Sequence, residues 1–259
     1  MSGNRLTSVT NAVRLIKSFT STRTTWGVSE LSRELGISKS SVHRILATLT
    51  DEGMLEQDPE SGRYRLGLAM YDLAAAVPTQ RDLHEAVLLP MTELRNRTGE
   101  TVQVGVLDGI HVVYIERLDS PNTLRLFTDV GRRNEVHCTA TGKALLAHLP
   151  ADRRDRIVAE LSLTKRTAYT ITSHRKFKQE LDRIRDQGYA ENRHESEVGV
   201  VSVAAPIRDT GGVTIAAISV AGPAERMDPL RSQMAQAVQR AAGLVSHRLG
   251  YRGGGEHDR

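Results

Sequence analysis

The sequence predicts an α+β protein in which a small helical unit precedes a larger unit built on an antiparallel sheet. Apolar residues recur at three- and four-residue steps between residues 7 and 49, as in amphipathic helices. Beyond residue 100, alternating apolar runs occur in pairs around turn residues, and helical segments separate the pairs. A length of 259 residues is sufficient for both units.

Composition narrows the class of protein. Hydrophobic residues at 39% and charged residues at 25% are typical of a globular chain and exclude a disordered or collagen-like one. No apolar run reaches the length of a membrane span, and the first residues lack the apolar core of a signal peptide, so we expect a cytoplasmic protein without a membrane partner. The single cysteine, Cys138, excludes an internal disulfide framework and favours a reduced thiol.

The net charge of +4 is a weak indication of an anionic partner. Its placement is more informative, because residues 1–67 carry nine Lys or Arg and seven Asp or Glu, which gives them half of the total excess. The net positive charge per residue is therefore higher at the amino-terminal end.

The small unit has the outline of a helix-turn-helix. Its first helix covers residues 7–21, with apolar side chains such as Val9 and Val13 on one buried face. A short second helix ends at Gly36, which suits the left-handed conformation that follows a helix. Ser38 can cap a third helix that stops near residue 53. Two short helices joined by a glycine turn are typical of this motif.

A hairpin follows and forms a wing. Short strands over residues 54–57 and 63–66 flank a turn-forming segment. A helical segment then ends before Pro78, where we place the domain boundary. We divide the chain into a winged unit at residues 5–67, a linker helix at 68–80, a sheet-containing unit at 81–250 and a disordered tail at 251–259.

The larger unit is predicted from its hairpins and helices. Asp108 and Gly109 turn the first strand pair, because both residues tolerate the positive φ angles of a tight turn. Alternating runs predict strands over residues 101–107, 110–115, 124–127, 200–208 and 213–220. Helical spacing predicts helices over residues 83–97, 140–148, 151–161, 173–187 and 229–249.

The third helix presents short polar and basic side chains over its first two turns. Such side chains can enter the major groove of DNA, where Arg44 can donate two hydrogen bonds to a guanine edge. The free N–H groups at the helix start also favour a phosphate. We expect DNA contacts from Ser38, Lys39, Ser40, Ser41, His43 and Arg44.

Arg63 and Arg65 alternate to one face of the wing, from which they could reach the DNA backbone or the minor groove. A solvated helix face and an ordinary charged hairpin would explain any one of these residues equally well. A helix, a glycine turn, a polar-faced helix and an arginine-bearing hairpin in one small unit together favour DNA binding.

The chain resembles the IclR family of bacterial transcriptional regulators. The winged helix-turn-helix of that family is similar to VSELSRELGISKSSVHRILATL at residues 28–49 and to DPESGRYRLG at 58–67. Its effector domain is similar to HCTATGKALLA at 137–147, GVVSVAAPI at 199–207 and AAISVAGP at 216–223. These motifs occur in the family's order and extend the resemblance over residues 5–250.

The resemblance implies a GAF-like domain that binds a small organic molecule between its sheet and the covering segments. It implies effector contacts from Leu124, Leu126, Ala140, Thr141, Asn192, Val200, Ser202, Ser219 and Ala221. Strand alternation places Val200 with Ser202, and Ser219 with Ala221, on common faces, so we expect an apolar pocket with a few oriented polar groups. Core packing would explain Leu124 and Leu126 equally well, and strand serines often bond only to their neighbours.

Three positions depart from the pattern of carboxylate-binding members. Asn192 stands where some of them have an aspartate, and Ser202 and Ala221 stand where they have a cysteine and a second serine. These departures favour a larger or less polar ligand, and we expect a small carboxylate or an aromatic acid derivative.

Other signals in the larger unit do not indicate chemistry. Residues 141–143 resemble the end of a phosphate-binding loop, but Ala144 and His137 break its pattern. The histidines lack zinc-ligand spacing, and Cys138 lacks the local signature of a nucleophile, so we expect no metal, no cofactor and no catalysis. Glu191, Glu195 and Glu197 are interpreted as a solvated loop, although one of them could gate the pocket.

The sequence therefore predicts a ligand-responsive regulator that represses a neighbouring catabolic operon. Pairing of two short recognition helices lengthens the site that is read, so we expect a homodimer on a near-palindromic double-stranded operator. Residues 67–77 are the candidate dimer contact, and the resemblance implies a dimer of dimers. An activator would share the same motifs. An enzyme with an accessory winged helix would need a converging acid, base or nucleophile near Ser202 and Ser219, which the sequence does not supply.

Overall fold

The computed structural model describes residues 6–20, 22–76, 80–123 and 130–253. The chain divides into two compact units, Met1–Arg81 and Asp82–Arg259. Pro78 and the predicted strand at 124–127, with Leu124 and Leu126, lie outside the described residues. The finer domain bounds remain predictions. Among the described residues, no helix combines the length and the apolar character needed to cross a membrane.

The first unit contains the predicted helix-turn-helix and wing. Gly36 ends the second helix with a φ of 67°, and the Ser38 hydroxyl accepts the backbone N–H of Ser41 at the start of the third, so both local predictions are confirmed. Its elements are α1 (Thr7–Ile16), α2 (Val28–Leu35), α3 (Lys39–Asp51), β1 (Leu55–Gln57), β2 (Tyr64–Leu66) and α4 (Ala69–Ala75).

A single apolar cluster holds this unit together. Trp26 and Tyr64 exchange backbone hydrogen bonds of 2.9 and 2.8 Å, which join the wing to the segment before α2. The indole N–H of Trp26 donates to the carbonyl of Ser18 at 2.9 Å, so the same side chain also fixes the end of the first helical segment. The buried members are Leu15, Phe19, Trp26, Leu31, Leu35, Val42, Leu46, Leu55 and Tyr64.

The predicted buried face of α1 is wrong along most of its length. Val9 and Val13 are 55% and 43% exposed, whereas Leu15 is fully buried. The helix ends at Ile16 rather than at residue 21, so only its last turn reaches the core of the described unit. The two valines have the spacing of one helix face, as predicted. No element among the described residues covers them.

The second unit is built on one sheet against which helices pack. Six described strands form this sheet in the order β5-β4-β3-β8-β7-β6, and each strand runs antiparallel to its neighbours. The strands are β3 (Thr101–Asp108), β4 (His111–Leu118), β5 (Arg133–Glu135), β6 (Ala190–Arg193), β7 (Val200–Arg208) and β8 (Thr214–Pro223). The helices are α5 (Gln80–Thr98), α6 (Ala140–Ala147), α7 (Ala151–Glu160), α8 (His174–Gln187), α9 (Ala224–Met227) and α10 (Arg231–Arg248).

Helices cover both faces of this sheet. On one face, Val102, Val104 and Val220 pack with residues of α5 and α10 in a large aliphatic core. On the other face, Ala204 and Ala217 pack with residues of α6 and α8. The alternation of strand side chains therefore separates an aliphatic face from a face of smaller and more polar residues.

Several predictions from local sequence need correction. Asp108 pairs with His111, so the tight turn is Gly109 and Ile110, and Gly109 supplies the positive φ of 60°. Strands β5 and β6 were not predicted, because their sequences RNE and AENR lack an apolar alternation. Tyr251, assigned to a disordered tail, donates its backbone N–H to the Ser246 carbonyl at 2.9 Å. Residues 254–259 of that tail lie outside the described residues.

Two helical glycines in the second unit predict opposite responses to alanine. A Cβ at Gly142 in α6 would lie 2.4 Å from the backbone of Val136, so Gly142→Ala should lower the free energy of unfolding by about 1–3 kcal/mol through overpacking. A Cβ at Gly243 in α10 meets nothing within 4 Å, so Gly243→Ala should raise that free energy by about 0.5–1 kcal/mol. Urea unfolding of both variants measures the difference, and shifts of the same sign would contradict the described packing of α6.

Candidate functional site

The start of α3 presents the predicted DNA-contacting residues to solvent. The cap formed by Ser38 directs this end of the helix outward, while Val42 and Leu46 are fully buried below it. Within the described residues, the side chains of Lys39 and Arg44 have no hydrogen bond or ion pair. The exposed members are Ser38, Lys39, Ser40, Ser41, His43 and Arg44. The hydroxyls of Ser38, Ser40 and Ser41 hydrogen-bond one another at 2.9–3.0 Å. The helix therefore offers free cations and an exposed cluster of hydroxyl groups at one end.

The wing arginines differ from each other. Arg63 donates to the hydroxyl and the carbonyl of Thr25, each at 3.1 Å, and to Glu30 at 2.9 Å. Its guanidinium is engaged in contacts within the first unit, whereas the sequence predicted that it could reach the DNA backbone or the minor groove. Arg65 is exposed and pairs with Glu56 at 2.8 Å across the hairpin.

Glu30 is the centre of these contacts. It accepts the backbone N–H of Gly27 at 3.1 Å and pairs with both Arg63 and Arg23. The Gly27 hydrogen bond, followed by that of Arg63, lowers the pKa of Glu30 to about 2. The Arg23 guanidinium also lies 3.3 Å from the centre of the Trp26 ring. These contacts tie the wing to the start of α2, so Arg63 sets the position of the wing.

A cavity of about 450 Å³ lies on the polar side of the sheet in the second unit. Its size is typical of a pocket for a small organic ligand. Four of the predicted effector residues line it, and three of these follow one cross-strand row, since Ala221 pairs with Ser202 and Ser202 pairs with Asn192. The four are Asn192, Val200, Ser202 and Ala221.

Three other predicted effector residues lie behind the cavity wall. Ala140 and Thr141 are 1% exposed, and the Thr141 hydroxyl accepts the hydroxyl hydrogen of Tyr114, which does line the cavity, at 3.4 Å. Burial raises the pKa of Tyr114, which keeps its phenol protonated as a donor. Ser219 is also 1% exposed and donates to the Gln103 carbonyl at 3.5 Å. None of the three is among the residues that line the cavity, and their direct contact with an effector stays a prediction.

The cavity is more polar than the sequence indicated. Aliphatic lining from the described residues is limited to Val200 and Ala221, so the expected apolar pocket is wrong for this part of the chain. The polar and charged lining residues that sequence reasoning missed are Gln103, His111, Arg132, Arg133, Asn134, Glu135, Thr139, Arg166, Ser196 and Glu197. The position of Gln103 between Val102 and Val104 could have indicated its role in the lining, because a polar side chain there interrupts an otherwise aliphatic strand.

Asn192 shapes the loop beside the cavity. Its side-chain oxygen accepts the backbone N–H groups of Glu195 and Ser196 at 2.8 and 3.4 Å, and its amide donates to the Ser196 hydroxyl at 3.0 Å. Thr170 donates to the Glu195 carbonyl at 2.7 Å from the other side. The amide of Asn192 is therefore engaged in holding residues 194–199, which include the lining residue Ser196.

A buried ion pair fixes the same loop to α6. Lys143 is 1% exposed, and its ammonium lies 2.6 Å from Glu195 and 3.4 Å from Glu180. Burial raises the pKa of Glu195, and the nearby Lys143 opposes that rise. Glu195 is 7% exposed, which corrects its interpretation as part of a solvated loop. A lysine among the apolar residues of α6 was the signal for this pair.

Glu135, His137 and Cys138 place possible metal-ligand atoms within 4.8 Å of one another. Each of the three side chains is either hydrogen-bonded to another residue or kept protonated. Arg166 holds both oxygens of Glu135 at 2.7 and 2.8 Å, and the Nε2 atom of His137 faces the Thr164 carbonyl at 3.0 Å, which requires a proton on that nitrogen. Burial, reinforced by Glu135, raises the pKa of Cys138 to about 12. Glu135 and Cys138 line the cavity, whereas His137 is buried and is not among the lining residues.

An exposed basic helix start beside a wing, together with a ligand-sized cavity in a separate unit, defines a ligand-responsive DNA-binding transcriptional regulator. The chain belongs to the IclR family of such regulators. Residues 8–59 match the IclR helix-turn-helix domain, and residues 75–247 match the bacterial transcriptional regulator IclR C-terminal domain. The predicted family and fold class are thereby confirmed.

Named relatives and a solved structure support this membership. The HTH-type transcriptional regulator KdgR of Escherichia coli K12 is 37% identical over 226 residues, which cover 87% of this chain and 86% of KdgR. XynR of the same strain is 33% identical over 245 residues, or 94% and 97% of the two chains. An IclR homologue from Microbacterium hydrocarbonoxydans, crystallised with 4-hydroxybenzoate, is 26% identical with a TM-score of 0.84, covering 94% and 99%.

The Lys143 pair predicts a coupled loss of stability. Lys143→Met leaves Glu195 buried without its cation, so the free energy of unfolding should fall by about 3–5 kcal/mol. Adding Glu195→Gln removes the unpaired charge, so the double variant should lose less than the sum of the single losses. Lys176→Met, an exposed lysine of α8, is the matched control and should change little. Chemical unfolding of the wild type, the Lys143→Met and Glu195→Gln single variants, the double variant and the control measures the coupling, and additive losses would contradict the pair.

Proposed function

We propose that this protein represses a neighbouring catabolic operon and that a small organic molecule in the cavity changes its affinity for DNA. The observation that carries the proposal is the exposed start of α3, where the side chains of Lys39 and Arg44 have no hydrogen bond or ion pair within the described residues. Two free cations at an exposed helix start have little structural use within their own unit, and they match the donors that contact a major groove and its phosphates. The polar cavity supplies the site for the effector.

Base reading is assigned to Arg44, with Ser40, Ser41 and His43 beside it. Lys39 and the helix start neutralise phosphate. Arg65 is exposed on the wing and can reach the DNA backbone. Arg63 positions the wing through Glu30 and Thr25, so its effect on DNA is indirect. We therefore assign phosphate contact on the wing to Arg65.

The operator is proposed to be a near-palindrome bound by a homodimer, and two such dimers form the assembly. Three large apolar side chains of the linker segment support a protein contact there, since Leu68, Tyr71 and Leu73 are 72%, 75% and 54% exposed. Exposed apolar groups in such numbers on one short segment are typical of interaction surfaces. A regulator of this kind acts on the chromosome, so we place it in the cytoplasm.

The effector acts by binding one arrangement of the DNA-binding units more tightly than another. Catalysis is not part of the proposal. Among the residues that line the cavity, Cys138 carries the side chain that would be the strongest nucleophile as a thiolate. Its raised pKa of about 12 keeps the thiol protonated at neutral pH. The lining carboxylate of Glu135 is held by Arg166, so it is not poised as a general base.

DNA binding is tested with the wild type and three arginine variants on labelled DNA from upstream of its own gene. Arg44→Ala should weaken specific binding by about 1–3 kcal/mol and relax one base position. Arg65→Ala should weaken binding to every sequence and reduce the salt slope by about one. Arg240→Ala, an exposed arginine of α10, is the control. Fluorescence anisotropy at several salt concentrations gives the affinities, and an Arg44→Ala curve that matches the control would refute the groove assignment.

A further inference from the structure

The positive charge of the chain is concentrated in one stretch of the second unit. Residues 151–178 contain eight Lys or Arg and three Asp or Glu, an excess larger than the +4 of the whole chain. The rest of the chain has 27 basic and 28 acidic residues, although it includes the helix-turn-helix and the wing. A concentration of like charge creates a potential that attracts a partner of opposite charge. The DNA-binding unit therefore does not account for the basic character of the protein.

Helices α7 and α8 form one continuous part of the surface in this stretch. The ammonium of Lys178 lies 3.7 Å from a carboxylate oxygen of Asp155, which joins the two helices along their length. The Nε2 atom of His174 lies 3.1 Å from the carbonyl oxygen of Leu161, which fixes the start of α8 beside the end of α7. Charges on the two helices therefore act on the same side of the unit.

Four cations of this stretch are free to bind a partner. All four are exposed, and no hydrogen bond or ion pair reaches their side chains within the described residues. They are Arg153 on α7, Lys165 in the connection, and Arg175 and Lys176 on α8. We call these four residues the basic surface. None of them is among the residues that line the effector cavity, so the basic surface is a separate feature of the unit.

The first turn of α8 holds its cations at an unfavourable position. This turn contains His174, Arg175 and Lys176 and has no acidic residue. The start of a helix is the positive end of its dipole, so cations there are disfavoured and acidic side chains are favoured. Arg175 and Lys176 therefore do not stabilise α8. Residues that break a local rule without a gain in stability indicate a functional role.

The composition of the stretch favours a nucleic acid over an acidic protein as the partner. Tyr169 is the one exposed large apolar side chain in residues 151–178, all of which are described. Protein–protein interfaces have an apolar core and are depleted in lysine. Protein–DNA interfaces are more polar and more positively charged. Ser162 and Thr172 are also exposed, and such hydroxyl groups can donate to phosphate oxygens.

We propose that the basic surface of the second unit binds the phosphate backbone of double-stranded DNA outside the operator. The first unit holds the operator, so flanking DNA is present at a high effective concentration around the second unit of the same protein. Phosphate contacts release counterions and add affinity without reading the base sequence. The basic surface strengthens binding to long DNA, while the start of α3 selects the site.

The test uses the full-length protein and two duplexes, one that ends at the borders of the operator and one that extends well beyond them. The wild type should bind the extended duplex at least ~10-fold more tightly at low salt, with a steeper salt slope. Arg175→Glu combined with Lys176→Glu should lose most of this gain. Its salt slope on the extended duplex should fall by about two, because each lost phosphate contact removes about 0.9.

The control is Arg97→Glu combined with Arg240→Glu, which changes the net charge by the same amount at exposed positions outside the basic surface. It should keep the gain on the extended duplex. The melting temperature is an independent readout, because glutamates at the start of α8 suit the helix dipole, and the Arg175 and Lys176 double variant should melt at the wild-type temperature or higher. Arg175→Gln combined with Lys176→Gln repeats the comparison without reversing the charge.

The possible outcomes separate this inference from the proposed function. A wild type that binds both duplexes equally overturns the role of the basic surface, and so does an unchanged gain in the double variant. Equal loss in the control would assign the gain to net charge and overturn it too. Unchanged DNA binding with lost repression in cells would assign the surface to an acidic protein instead. In each case, binding to the short duplex that depends on Arg44 would leave the proposed function intact.

Discussion

Lys143 lies inside the effector-binding unit with its ammonium 2.6 Å from Glu195 and 3.4 Å from Glu180. A lysine buried to this degree must be paired, because an isolated charge in the protein interior is strongly disfavoured. The pair joins α6 to the loop of residues 194–199, and Asn192 holds the same loop from the sheet. The loop contributes Ser196 and Glu197 to the lining of the cavity, so a charge interaction as well as apolar packing positions this part of the lining.

The two faces of the sheet have different roles: one contributes the main apolar core, and the other supports the cavity. Valines of β3, β7 and β8 pack against α5 and α10 and form the main aliphatic core. The opposite face carries alanines, serines and Gln103, and it supports the cavity and the helix α6. In the first unit the same division recurs on a smaller scale, because the buried side of α3 belongs to the apolar cluster while its first turns present polar groups outward.

Features fixed by local sequence could be predicted, and features fixed by distant partners could not. Gly36 and Ser38 determine a helix end and a helix start within a few residues, so the helix-turn-helix followed from spacing alone. Arg63 bonds to Thr25, 38 positions away, and Lys143 bonds to Glu195, 52 positions away, so neither partner was visible in the pattern. The polar part of the cavity lining was missed because it comes from β3, β5 and loops that are far apart in the chain.

The central claim is that occupancy of the cavity and affinity for DNA are linked. The most direct measurement is a thermodynamic cycle on the full-length protein. The dissociation constant for upstream DNA is measured with and without a saturating small organic acid that raises the melting temperature, and that of the acid with and without DNA. Linkage requires the same factor in both directions, and about 5- to 150-fold is typical of such coupling. Identical DNA dissociation constants with the cavity empty and filled would contradict the account.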